Sequence, residues 1–413
     1  MSVSIFTLAS SLHDKNAVKQ TTEEFLSSLN IDYVFHGDDF SQYGNDTLSL
    51  IYVCTGGTEG IFLRLLPDLL QKVHHPIYLL TSGKSNSLAA SAEILSYLRQ
   101  HDIHGEILHG SSQYIATRIG QLMKVSSARR WLSSARLGVV GKPSDWLISS
   151  NVDYEIIKQR LGLTLIDIPM DEVKEQLDME PLPESSSVAD MEVHIRPIKN
   201  ADRPTVSNSL PGALQMYGAL KKVAQNHKLN GFTIRCFDLL TAVHNTGCTA
   251  LAKLNAEGLV AGCEGDVPTA LSMIIVRSLL GISGFQANPS HINPETGELL
   301  FAHCTIPLDM VERYELDTHF ESGIGVGIRG YMKTGAVTVF KVSPDLSRCF
   351  IAEGHLLDNQ DKADLCRTQQ IIRLSNPEDA RYFLTNPIGN HHVIIPGHHR
   401  ELLQGFMDEI QAK

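Results

Sequence analysis

The chain has 413 residues, room for two to three domains at about 150 residues each. Its apolar share of 43% and charged share of 20% are those of a folded globular protein, which excludes a disordered, collagen-like or small disulfide-stapled chain. A net charge of −11 argues against general nucleic-acid binding, which needs a basic surface to offset phosphate.

Met1–Ala9 carries no basic segment and too short an apolar run for a secretory signal, and it reads as part of a first strand, Ser2–Ser10. Lys15–Leu29 reads as an amphipathic helix, Thr47–Thr55 as a buried strand and Gly60–Lys72 as the next helix. Pro76–Thr81 is again a strand, followed by a helix over Ser85–Gln100. Glycines at the strand exits and helices between strands predict a parallel, doubly wound sheet.

The pattern restarts near Arg136, with strands at Leu137–Gly141 and Leu163–Ile168. Ser185–Ala189 falls in what reads as a polar, acidic loop. Leu210–His227, Gly247–Glu257 and Val267–Leu280 read as helices, with strands at Gly231–Phe237 and Gly258–Cys263. Asp266 and Pro268 mark the start of the third of these helices. After Gly284 the texture becomes short apolar runs split by turn signals: Gly323–Ile328, Ala336–Val342 and Cys349–Glu353. That predicts an antiparallel sheet or small barrel. A short helix (Asn376–Leu384), a strand (His391–Ile395) and an amphipathic helix (Glu401–Ile410) follow.

The expected fold class is therefore α/β: two Rossmann-like, doubly wound parallel-sheet domains followed by a mainly antiparallel β domain. The expected boundaries are 1–133, 134–283 and 284–413. Seven cysteines stand singly, with no C-x-x-C, so neither a disulfide framework nor a zinc knuckle is expected. No stretch approaches the ~18 apolar residues of a membrane span. These features together predict a cytoplasmic protein with no membrane or nucleic-acid partner.

Two glycine-rich segments invite a phosphate-binding reading. Ser82-Gly83-Lys84-Ser85 resembles the end of a P-loop, but Tyr78 stands where the first glycine is required. Gly56-Gly57-Thr58-Glu59-Gly60 departs from G-x-G-x-x-G and reads either as a strand-to-helix turn or as backbone N–H groups facing a ligand.

The stronger signal is acidic and imidazole. Glu264 follows an apolar strand and precedes a helix, so it sits at the carboxyl end of a strand, where ligands of open α/β sheets gather. Of 18 histidines, His303 ends a probable strand and His391 and His392 open another. A carboxylate with imidazoles from another domain can hold Mn²⁺, Fe²⁺, Co²⁺ or Zn²⁺. The same residues also read as a helix cap, Glu264 with Asp266, and as a hydrogen-bonded core histidine.

Gly262-Cys263-Glu264-Gly265-Asp266, Ala302-His303-Cys304 and Asn390-His391, in that order, resemble the C-terminal signatures of the L-fucose isomerase and L-arabinose isomerase superfamily. The resemblance runs on through Ser322-Gly323-Ile324-Gly325-Val326-Gly327 and covers roughly residues 230–413. Thr55-Gly56-Gly57-Thr58-Glu59 and Gly141-Lys142-Pro143-Ser144 fit the N-terminal domains more loosely.

The resemblance implies a homo-oligomeric aldose–ketose isomerase acting on a pentose or (6-deoxy)hexose in carbohydrate metabolism, with a divalent metal, Mn²⁺ in most members. It implies Glu264, His303 and His391 as metal ligands and Glu264 as base or proton shuttle. A polyol substrate needs many hydroxyl partners, and Thr55, Gly57, Glu59, Gln286, Ser290 and His291 are the candidate sugar contacts, with Asn245 and Arg329 as further polar candidates. Thr55–Gly60 and Ser82–Asn86 form a polar lip over a neighbouring subunit's site in this reading. The family's middle acid falls at Asn288, which can offer a carbonyl oxygen but cannot act as a general base. His291, three residues on, is the candidate replacement proton carrier. A non-catalytic sugar-binding relative and a lyase or epimerase on the same scaffold remain open beside the isomerase.

Overall fold

Leu48–Val53 is buried at every position, as a strand covered on both faces must be. It is the middle strand of a five-stranded sheet in the computed structural model, which describes residues 2–72, 76–196 and 203–411. The chain divides into two compact units, residues 1–130 with 405–413, and residues 131–404.

The first unit runs β1 (Val3–Leu8), α1 (Lys15–Ser28), β2 (Val34–Gly37), β3 (Leu48–Val53), α2 (Glu59–Lys72), β4 (Ile77–Leu80), α3 (Ser87–Gln100) and β5 (Gly105–Leu108) into α4 (Ser112–Ser134). Its strands are parallel in the order β2-β1-β3-β4-β5. Phe6, Ile51 and Leu79 pack on one face with Phe62 and Ile94 from α2 and α3. On the other face Ile5, Leu50 and Tyr52 meet Leu26 of α1 and Ile115 and Ile119 of α4. Helices on both faces satisfy the doubly wound expectation.

The second unit opens with β6 (Arg136–Val140), α5 (Tyr154–Leu161), β7 (Thr164–Ile168), α6 (Met170–Met179), α7 (Ser185–Glu192) and α8 (Arg203–Asn226). It continues with β8 (Gly231–Ile234), α9 (Phe237–Val243), α10 (Cys248–Ala256), β9 (Val260–Gly262) and α11 (Val267–Leu280). These strands form a parallel sheet in the order β7-β6-β8-β9. Then come β10 (Phe285–Asn293), β11 (Glu298–His303), β12 (Arg313–Asp317), β13 (Gly327–Tyr331), β14 (Gly335–Val342), β15 (Cys349–Asn359) and β16 (Thr368–Leu374). The chain ends with α12 (Tyr382–Thr385), β17 (His392–Pro396) and α13 (Arg400–Gln411).

Six of these strands close an antiparallel barrel in the order β10-β11-β16-β15-β14-β17. Closure leaves none of them with a free edge. Phe285, Ala287, Leu299, Phe301, Val337, Val339 and Ile394 belong to the core that fills this domain. Two parallel α/β sheets followed by an antiparallel β domain is the fold class expected from sequence. Among the described residues no helix is long and apolar enough to cross a membrane.

α11 is the joint of the second unit. Nearly every residue from Val267 to Val276 is buried, and a helix apolar all round must be covered on all sides. It packs on β8 and β9 of the parallel sheet and on β14 and β17 of the barrel. Its ends follow local rules: the Asp266 side chain accepts from the Thr269 N–H, and Gly281 closes the helix at φ 77°.

Three elements differ from the sequence reading. Ser185–Glu192 is a helix rather than a loop, because Val188 and Met191, three apart, pack into the core beside α8. α8 begins at Arg203 rather than Leu210 and carries Pro211 in its interior. Burial of Val206, Leu210, Ala213 and Leu214 outweighs a proline cost of about 3 kcal/mol. The run expected as a strand from Gly323 pairs only from Gly327, since Gly323 and Gly325 turn the chain at φ 68° and 64°.

Candidate metal centre

The turn after β9 builds the site. Glu264 takes φ 62° and Gly265 φ 71°, two left-handed residues in succession. Glycine is required at 265, where a Cβ would run into the Lys142 carbonyl and stand 2.8 Å from Pro143 Cα. The turn is held by main chain on both sides. The Gly265 N–H donates to Ile234 O at 2.9 Å, and the Ser144 N–H donates to Glu264 O at 2.9 Å. Gln286 on β10 supports it from the barrel side, its Oε1 accepting the Cys263 N–H at 2.8 Å. A carboxylate is thereby fixed at the carboxyl edge of the parallel sheet.

The barrel supplies two imidazoles. His303 is the last residue of β11, and its Nε2 lies 3.7 Å from Glu264 Oε1. Its Nδ1 lies 2.9 Å from Thr305 Oγ1. His391 immediately precedes β17, with Nε2 3.4 Å from the same Glu264 oxygen. Its Nδ1–H donates to Asp266 Oδ2 at 2.8 Å, since an ionised carboxylate can only accept. The two rings meet edge to face at 5.3 Å. Candidate ligand atoms of Glu264, His303 and His391 all lie within 4.8 Å of one another, and all three residues are buried.

The donor set suits a divalent cation. Two ligands each about 2.1 Å from one ion stand roughly 3–3.5 Å apart, close to the spacings between Glu264 Oε1 and the two Nε2 atoms. His391 Nε2 is buried without a hydrogen-bond partner, an orphan lone pair or proton aimed at the carboxylate. His391 with its other nitrogen on Asp266 has the carboxylate–histidine arrangement that orients metal-binding imidazoles.

The charges are arranged to match. Lys341 on β14 is 1% exposed, with Nζ 3.5 Å from Asp266 and a hydrogen bond to Thr269 Oγ1. Burial works to lower this lysine and Asp266 opposes it, with a net downward shift. Asp266 resists the upward push of burial because Lys341 and His391 hold it well below the usual carboxylate range. Burial likewise pushes Glu264 up, and His391 and His303 reverse that to leave it far below its ordinary value. Burial pulls His391 down, but Glu264 and Asp266 raise it to about 9. Among the described residues Asp266 thus has a lysine as counter-charge, whereas Glu264 has only imidazoles. A buried carboxylate so placed calls for a proton or a cation beside it.

The other residues singled out in the sequence are distributed as follows. Thr55, Gly57 and Glu59 lie in the first unit. There Thr55 Oγ1 accepts the Ser10 N–H at 2.9 Å, Gly57 turns at φ 73°, and Glu59 opens α2. Asn288 pairs across β10 and β11 with Ala302, next to His303, and its Oδ1 is buried without a partner. Ser290 and His291 are exposed farther along β10, where His291 pairs with Leu300. Asn245 donates to Ser209 O at 2.8 Å, and the buried Arg329 pairs with Asp361 at 2.9 Å.

Three participants were missed as such in the sequence. In the sequence Asp266 shows itself as a helix cap and as part of the Gly262–Asp266 signature, not as the partner of His391. Lys341 announces itself as a lone lysine in the apolar run Gly335–Val342, where a buried cation needs an acid. Trp146, one of two tryptophans, lies in the loop after β6 and donates its Nε1–H to Glu264 Oε2 at 2.7 Å.

No protein-family model matches the chain. Curated proteins do. The chain is similar to sulfoquinovose isomerases. It is 25% identical to that of Priestia aryabhattai over 283 residues, 66% of this chain and 63% of the relative's length. It is 24% identical to that of Alkalicoccus urumqiensis over 374 residues, 83% of this chain and 82% of the relative. A third, from Clostridium sp. (strain MSTE9), is 23% identical over 272 residues, 62% and 58% of the two chains. All three carry the name of a sugar isomerase.

Proposed function

We propose that the chain is a metal-dependent aldose–ketose isomerase in carbohydrate metabolism. The observation that carries this reading is the buried Glu264–His303–His391 cluster at the carboxyl edge of a parallel sheet, in a chain similar to sulfoquinovose isomerases. Glu264 Oε1 and the Nε2 atoms of His303 and His391 would hold the ion, Mn²⁺ in this reading. A divalent cation bound there supplies Lewis acidity that stabilises negative charge developing on a sugar oxygen.

The chain's own residues do the rest. Asp266 fixes the His391 ring and its tautomer, and Lys341 keeps Asp266 ionised in a dry environment. Asn288, paired with Ala302, carries a buried carbonyl oxygen without a partner, free to accept from a hydroxyl or a water. Burial of the cluster excludes bulk water, which strengthens each electrostatic contact. The substrate is an aldose of the pentose, 6-deoxyhexose or 6-substituted hexose class. Sulfoquinovose, a glucose with a sulfonate at C6, is the first to try.

The test is NMR in D₂O with Mn²⁺-loaded protein and a panel of pentoses, 6-deoxyhexoses and sulfoquinovose. A ketose product in the wild type, absent in Glu264→Gln and His391→Ala, is the expected result. Solvent deuterium at the product carbon marks proton transfer, and its absence marks a hydride shift. Asn288 favours a second reading, a sugar-binding relative without turnover. That reading takes over when sugar binds, no ketose forms and no C2–H exchanges. Exchange without ketose assigns the chain to the lyase and epimerase chemistry.

A further inference from the structure

We infer that Trp146 is the residue that sets Glu264 as a one-oxygen ligand of the cation. This inference rests on the metal reading above and goes beyond it to a residue that reading does not contain.

The loop after β6 brings Trp146 to the site and holds it there. Arg235 grips this loop twice, through Pro143 O at 2.8 Å and through the Asp145 carboxylate at 2.8 and 3.0 Å. The buried Leu147 anchors the next position, and its N–H donates to Ser144 O at 2.9 Å. The ring of Phe237, at the start of α9, meets the indole edge to face at 4.9 Å. The indole is therefore oriented before any ligand arrives.

Its polar edge and its apolar face are treated differently. The Nε1–H is directed inward onto Glu264 Oε2 at 2.7 Å, while half of the residue, 50%, stays exposed. A half-buried indole still gains from burial, but that gain has no direction and does not aim the Nε1–H. What it makes is one short, charge-assisted hydrogen bond to a buried carboxylate. That bond engages the oxygen turned away from the histidines. Oε1 is left facing both Nε2 atoms, at 3.4 and 3.7 Å. Without the indole, Glu264 could rotate to offer both oxygens, or turn away from the imidazoles altogether.

Trp146 is thus a positioning residue that acts through Glu264. Trp146→Phe keeps the ring and removes the donor, and Trp146→Gln returns an N–H without the ring. Mn²⁺ binding to the metal-free full chain, measured by calorimetry with no sugar present, is expected to weaken roughly 10–100-fold in Trp146→Phe. Part of this returns in Trp146→Gln, and the EPR spectrum of the bound Mn²⁺ changes with the mode of carboxylate ligation. A purely structural tryptophan would lower the melting temperature of the metal-free chain and leave the affinity unchanged.

The indole N–H resonance of Trp146 in the unmodified protein gives a second measurement, independent of how the variants fold. It is expected to exchange slowly with solvent and to move on addition of diamagnetic Zn²⁺. Equal Mn²⁺ affinity in Trp146→Phe and wild type, or an indole resonance indifferent to Zn²⁺, overturns the inference while the metal reading stands. A wild type that binds no Mn²⁺, with His391→Ala indistinguishable from it, overturns both.

Discussion

Asp266 divides its two oxygens between two tasks. Oδ1 caps α11 through the Thr269 N–H at 2.9 Å, and Oδ2 holds His391 Nδ1 at 2.8 Å. Asparagine can keep the Oδ1 cap of α11, but its amide takes the place of Oδ2, so Asp266→Asn removes the charge together with the acceptor of the His391 Nδ1–H. It leaves Lys341 buried without a counter-charge, and urea unfolding is expected to show a loss of about 3–5 kcal/mol. Asp266→Asn combined with Lys341→Met, which removes both charges, should recover most of that loss. The pH dependence of metal binding follows from His391, which burial lowers but Glu264 and Asp266 raise to about 9. A histidine raised in the folded state stabilises the metal-free chain fully below pH 6.5, and this stability is lost as pH rises through about 9. Binding a cation at Nε2 must expel that proton. Through this proton Mn²⁺ affinity should rise by about tenfold per pH unit below about 9 and flatten above it. Calorimetry in buffers of different ionisation enthalpy should count close to one proton released near pH 7.5.

At the scale of elements, the turn between β9 and α11 concentrates the strain. Glu264 is one of the few non-glycine residues at positive φ, and Gly265 beside it has the Lys142 and Pro143 main chain against its missing Cβ. Gly265→Ala should cost about 1–3 kcal/mol and lower Mn²⁺ affinity together with the melting temperature. Gly281→Ala is the informative contrast. It has similar φ, 77°, with nothing within 4 Å of an added Cβ, so it should lower stability alone. Much of this element was legible beforehand: the Asp266 cap, Pro268 and an apolar run of helical length are local signals. α7 was not legible, because a serine-rich segment with only Val188 and Met191 to bury has no period until α8 lies beside it. α8 was read short for a related reason: Pro211 looks like a helix start until the residues before it are seen packed in the core.

At the scale of the second unit, barrel closure sets the spacing of the site. β11 ends at His303 and β17 begins at His392, and each also packs into the barrel core through Phe301 and Ile394. Phe301, fully buried and in edge contact with Phe383 at 5.8 Å, is a packing residue two positions from His303, a proposed ligand. Phe301→Ala should cost about 3–5 kcal/mol and weaken Mn²⁺ binding as His303 loses its support. In the wild type, Mn²⁺ at a hundred times its dissociation constant should add about 2.7 kcal/mol of stability. On Mn²⁺ addition, hydrogen exchange should slow together in residues 260–266, 299–303 and 391–396, since the proposed ion would tie all three segments. The sequence alone determined what is written within a dozen or so residues: strand against helix, the doubly wound alternation, the switch to antiparallel texture after Gly284, and the end of a strand as the place for Glu264. Periodicity and capping are local, so they survive without a fold. The tertiary structure alone decided which side chains meet: Trp146 with Glu264 across 118 residues, Asp266 with Lys341 across 75 and with His391 across 125. A contact between distant positions depends on how the chain folds back on itself, and the local sequence names no partner: Lys341, a lone lysine in an apolar run, shows only that some acid must meet it.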